Sequence, residues 1–166
     1  MIITGKQLGM IAAAGSAVLL LAAFGFQMLG YAPCKMCMWQ RYPHAVAVAL
    51  GVLLGTGLPT LLLLLAGAAS AASTAAIGVF HTGVERDWWE GPTSCTGSGL
   101  DMSNLSGAAL LPSASSGPST LVMCDQVAWE FLTISMASWN ALWSSALAAL
   151  WILAAIKVWH QRRKLV

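Results

Sequence analysis

The chain has 166 residues, 58% of them hydrophobic and only 8% charged, with a formal net charge of +2. A soluble domain carries roughly a quarter of its residues as charges, so a water-facing surface all round is excluded and a lipid-embedded protein is implied. The small net charge also excludes the basic stripe of a nucleic-acid-binding protein.

The first apolar stretch runs from Leu8 to Leu29. At about 1.5 Å per residue it is long enough to cross a hydrocarbon core of about 30 Å. A short segment at about 30–42 follows and holds Cys34 and Cys37. The second apolar stretch, about 43–58, is short for a span. It must borrow length from the residues before it, which puts Pro43 near the helix start or at a kink. Gly57-Leu58-Pro59-Thr60 is so short a link that spans two and three must be antiparallel neighbours.

The third stretch runs from Thr60 to about Phe80, with His81 at its end. Gly67, Ala71 and Ala75 lie four apart, as do Ser70, Thr74 and Gly78; such rows of small residues let helices pack closely in lipid. A long segment, about 82–138, holds Cys95 and Cys124. Between these cysteines the chain is rich in Gly, Ser and Pro, which predicts a mobile loop. The run Val127–Leu132 predicts a helix lying along the membrane interface. The fourth stretch runs from Trp139 to Trp159, an aromatic at each end, as in interfacial belts. The expected fold is an all-α integral membrane protein: one domain over 1–166, a bundle of four transmembrane helices with two exported loops.

Charge sets the expected orientation. Lys6 precedes the first stretch, and Lys157, Arg162, Arg163 and Lys164 lie at or beyond the end of the fourth. The positive-inside rule then places both termini in the cytoplasm. All six acids fall between spans three and four, on the far side. Residues 1–30 also have the outline of a cleavable secretory signal, but cleavage would leave three spans and carry the basic tail outside. With four spans, all four cysteines face an oxidising compartment.

Cys34-Lys35-Met36-Cys37 closes a very small loop, so a bond there removes little chain entropy. Such a pair points to redox chemistry, helped by nearby cations that favour the thiolate. Lys35 lies between the sulfurs, and Arg41 follows Cys37 by one helical turn. A structural zinc site would need a second close pair of ligands; Cys95 and Cys124 are far apart and no His-x-x-x-His occurs, so no metal is expected. Arg41 also suits a snorkelling anchor, and His81 a helix cap.

Pro33-Cys34-Lys35-Met36-Cys37-Met38-Trp39-Gln40-Arg41 resembles the first-loop signature of the disulfide-bond formation protein B (DsbB) family: proline, CxxC, then arginine four residues on. Both cysteine pairs fall between the same spans as in that family, and Cys124–Leu132 resembles its segment after the last cysteine. The resemblance covers nearly the whole chain and departs at Gln40, where the family often has an acid. It implies a thiol oxidase with catalytic Cys34, Cys37, Cys95 and Cys124. It also implies a Cys95–Cys124 disulfide re-oxidising a DsbA-like periplasmic thioredoxin-fold partner, and a ubiquinone or menaquinone cofactor held by Arg41 and His81. Two alternatives carry different expectations. An oxidoreductase of the vitamin K epoxide reductase type would have its CxxC at the start of its last core helix. A non-enzymatic tetraspan protein would have inert disulfides.

Overall fold

The computed structural model describes residues 3–56, 58–92 and 123–164. Four helices and one small hairpin are present among them. Helix α1 spans Gly5–Met28 and starts in a capping box, in which the Thr4 hydroxyl accepts from the Gln7 backbone N–H while the Gln7 side chain accepts from Thr4. This satisfies two of the amide donors that every helix start leaves over.

Helix α2 spans Lys35–Leu53, well ahead of the expected start near residue 43. The cause is Cys34. Its Sγ caps the helix by accepting from the Cys37 backbone N–H at 3.2 Å. Pro43 therefore sits inside the helix. The first connecting loop shrinks to about 29–34, and Cys37 and Arg41 move from the expected loop onto the first two turns of α2.

Helix α3, Thr60–Glu85, extends past Phe80, so His81 lies within its last turns rather than at its end. Helix α4 spans Met136–Arg163, and Ser135 caps it by accepting from the Ser138 backbone N–H. Arg162 and Arg163 sit in its last turn, where the helix dipole favours cations.

The expected interfacial helix at Val127–Leu132 is a correction. The structure has a hairpin there, β1 Glu130–Phe131 against β2 Ile134–Ser135, turning through Leu132 and Thr133 at φ of 54° and 62°. Trp129 and Phe131, two apart, share one side of an extended chain. Their rings stack at 6.2 Å, and Trp129 also meets Phe26 of α1 at 4.9 Å. A helix would rotate these two rings to opposite faces, losing that contact.

The helices neighbour one another in the order α1–α2–α3–α4 and back to α1, with α3 against α4 the most extensive pairing and α1 barely touching α3. The small-residue rows of α3 face inward: Gly67, Ala71, Thr74, Ala75 and Gly78 are buried. Gly67 lies under the ring of Trp151 on α4, and Gly78 against the Ala141 backbone. Leu54 and Leu64 complete the core around Trp151. Large apolar side chains such as Leu21, Leu62 and Ile152 point outward, as in a bundle whose solvent is lipid. Helices α1, α3 and α4 are long and apolar enough to cross a membrane. Helix α2 carries Lys35, Gln40, Arg41 and His44 in its first three turns and is not among them.

A Cβ at position 67 would stand 2.6 Å from the Trp151 ring. Gly67→Val should therefore destabilise the bundle by about 1–3 kcal/mol, read as a lower thermal midpoint of detergent-purified protein. An unchanged midpoint would contradict the close approach of α3 and α4.

Candidate functional site

The site grows from the first turn of α2. Residues three apart on a helix share a face, so Cys34 as cap and Cys37 in the first turn bring their sulfurs to 3.0 Å. Both stand as thiols. Cys34 is buried and donates to Cys37, while its own sulfur accepts from the Cys37 backbone N–H. The bond donated to Cys37, together with burial, pushes the Cys34 thiol above its ordinary range. Cys37 is partly exposed and lines an apolar cavity.

Helix α3 brings His81 to this pair. Its Nε2 lies 3.5 Å from the Cys34 sulfur and 3.9 Å from Oε1 of Glu85, one turn on. Its Nδ1 lies 2.9 Å from Nε2 of Gln40 on α2. The ring also bonds to the backbone of Cys124. Cys124, fully buried, leads into the hairpin and packs with Cys34, Met36 and Val84. Three predicted cysteines and His81 thus meet at one place. The fourth, Cys95, lies outside the described residues, as does the Gly/Ser/Pro-rich stretch that follows it. Glu85 accepts from the Ser135 hydroxyl, which ties the end of α3 to the start of α4.

Arg41 is one turn beyond Cys37. Its Nη1 donates to Oε1 of Gln27 at 2.7 Å and its Nη2 to the Ala23 carbonyl at 3.1 Å, both on α1. The guanidinium also stacks over Phe24 at 4.9 Å. It therefore ties α2 to the neighbouring helix α1. Arg41, Cys37, Gln40, His44 and His81 all line a cavity of about 400 Å³, whose other walls include Phe26 and Trp143. An apolar cleft with a few convergent polar groups suits a flat, largely apolar ring.

Sulfur and nitrogen atoms of Cys34, Cys37 and His81 lie within 4.8 Å of one another, a grouping that metals of intermediate softness use. The sequence reading set zinc aside for want of histidines at close spacing, and so missed that α3 delivers one from a distance. It also missed His44 and Asn140, which are hydrogen-bonded at 2.9 Å inside the bundle. A usable signal existed: a histidine and an asparagine inside apolar stretches are costly in lipid and point to a site.

The pair has an expected order of reactivity. Limited alkylation of the reduced protein at neutral pH should modify Cys37 at least about tenfold faster than Cys34. Each pH unit below a thiol's pKa cuts its thiolate about tenfold, so Cys34 should gain on Cys37 only as pH rises above the usual thiol range. Peptide mass spectrometry reads both. Faster modification of Cys34 at neutral pH would contradict the assignment of the shared proton to Cys34.

Comparison with known proteins identifies the family. The family model described as "Disulfide bond formation protein DsbB" matches residues 5–154. No curated protein and no solved structure matches the chain. The match takes in all of α1, α2 and α3, most of α4 and all four cysteines. The chain belongs to the DsbB family, the membrane machinery of disulfide bond formation.

Proposed function

We propose that this protein is a membrane thiol oxidase. It takes two electrons from a DsbA-like periplasmic dithiol partner and delivers them to a membrane quinone. The observation that carries the reading is the meeting of two routes at one cysteine pair. Cys124 packs against Cys34 on one side, while Cys37 and Arg41 face the apolar cavity on the other.

In this reading α2 is the fourth span, both termini are cytoplasmic, and the cysteine-bearing ends of the helices face the periplasm of a bacterial inner membrane. The whole chain acts as one domain. The partner's thiolate attacks Cys95 of a Cys95–Cys124 disulfide, and Cys124 leaves with the electron pair. The Cys124 thiolate attacks Cys34 of a Cys34–Cys37 disulfide, and Cys37 leaves as the thiolate. The partner's second thiol then displaces Cys95, which closes again on Cys124 and releases Cys34. The partner is left oxidised, and two electrons and two protons remain on Cys34 and Cys37.

A bound quinone supplies the two-electron, two-proton sink that makes this exchange run forward. The cavity fits such a ring by its apolar walls and by the polar groups at its edge. Arg41 would hold a carbonyl oxygen there, with a charge that persists at any usable pH and several donors in a fixed fork. Its two bonds to α1 keep that fork in place. His81 would act on the Cys34 side.

Arg41→Ala should lower turnover or raise the apparent quinone KM on the order of 10²–10³-fold, the usual effect of losing one preorganised donor. Arg41→Lys should recover only part, because one ammonium cannot bond Gln27, Ala23 and a ligand with the same geometry. Partner oxidation against quinone concentration, in matched amounts of folded protein, measures this. Unchanged kinetics in both variants would leave Arg41 a packing residue between α1 and α2.

A further inference from the structure

Beneath the cysteine pair lies a continuous ladder of buried polar groups, and elementary donor–acceptor rules determine its direction. Thr74 Oγ lies 3.0 Å from the Gln40 backbone carbonyl. A carbonyl only accepts, so the single hydroxyl proton of Thr74 is spent there. Toward Asn140, at 3.2 Å, Thr74 Oγ must therefore accept, and the Asn140 atom facing it is Nδ2. The same Nδ2 donates to Oε1 of Gln40 at 2.7 Å. Gln40 then has only its Nε2 left for His81, at 2.9 Å from Nδ1.

A second contact fixes Gln40 independently. Its Nε2 also lies 3.4 Å from the Met36 backbone carbonyl, another group that only accepts. An amide nitrogen has no lone pair to offer, so His81 Nδ1 is the acceptor in its bond with Gln40. The proton of the neutral ring is left on Nε2. That atom faces the Cys34 sulfur at 3.5 Å, with Oε1 of Glu85 at 3.9 Å and the Cys124 backbone also beside the ring. On the far side of the ladder Asn140 Oδ1 accepts from His44 Nε2 at 2.9 Å and from the Ser144 hydroxyl at 3.3 Å, which holds the amide from both ends.

We infer that Gln40 and Asn140 are positioning residues that lock His81 in its Nε2–H tautomer and aim that proton at the sulfur of Cys34. Toward the pair the ring is a donor, not a base. It also offers no lone pair on that side, so Cys34, Cys37 and His81 form a hydrogen-bonded set and not a metal-ligand set. The role depends on the thiol-oxidase reading. Each cycle releases Cys34 from Cys124 with the electron pair on the Cys34 sulfur, and a fixed N–H beside it stabilises that charge without taking up a proton. An acid at position 40 would do the opposite, because a carboxylate accepts from Nδ1–H and leaves the neutral ring with a bare Nε2.

The test is nitrogen-15 NMR of the full chain, histidine-labelled and in detergent, with the His81 signals identified by their loss in His81→Gln. The wild-type ring should carry its proton on Nε2. Gln40→Glu should move a proton to Nδ1, and Asn140→Asp should do the same from one residue further away by turning the Gln40 amide round. Gln40→Glu should also slow exchange between Cys124 and Cys34 on the order of tenfold, the effect of one hydrogen bond to a charged group. A wild-type ring protonated at Nδ1 overturns the inference without needing any variant to fold. So does an unchanged tautomer in Gln40→Glu. If the ring is Nε2–H but the wild-type protein oxidises no partner, the wiring stands and the thiol-oxidase reading falls.

Discussion

A polar side chain inside an apolar bundle can bond only to other protein groups, and this constraint organises the molecule. Lipid offers no partner, so an unsatisfied donor or acceptor at that depth is costly. Gln40, His44, Thr74, His81, Asn140 and Ser144 come from three helices and satisfy most of one another's needs. Their mutual bonds set the rotation of α2 against α3 and α4. That rotation in turn brings His81 to Cys34 and turns Cys37 and Arg41 toward the cavity. Packing of small residues supplies the proximity: with Gly67 under Trp151 and Gly78 against Ala141, α3 and α4 lie close enough for short polar side chains to meet.

The second organising fact is that Cys34 is both a helix cap and a redox candidate. Its sulfur accepts from an amide at the helix N-terminus, where the backbone dipoles favour negative charge. The same atom meets His81 and packs with Cys124. Fold and chemistry therefore share one residue. Replacing Cys34 would remove a cap as well as a thiol, so a loss of activity in such a variant needs a stability measurement beside it.

Much of the architecture is readable from hydropathy. Spans one, three and four appear as apolar runs, and the structure lengthens each by a few residues where polar caps such as Thr4 and Ser135 continue the helix. Helix α2 is harder to read, because its first turns hold polar residues and a proline that resemble a loop. Its true start depends on a sulfur cap, which composition does not reveal. The hairpin before α4 was misread because short apolar runs look alike as helix or strand. The stacking of Trp129 on Phe131, with Trp129 against Phe26, decides between them. At the site, CxxC and the arginine one turn on were visible as local spacing. The contacts of His81 with Cys34 and of Asn140 with Gln40 join residues 47 and 100 positions apart. No local pattern encodes such a pairing.

The central claim is that electrons placed on the Cys34–Cys37 pair leave through the cavity to a quinone. The direct measurement takes the purified protein, stripped of quinone and fully reduced, in lipid nanodiscs without oxygen. A known amount of oxidised quinone is added, and quinol and Cys34–Cys37 disulfide are quantified together. The account predicts one quinol per disulfide formed, with the reaction abolished by Cys37→Ser. Reduced cysteines that persist in the presence of quinone, or a disulfide that forms without matching quinol, would contradict it.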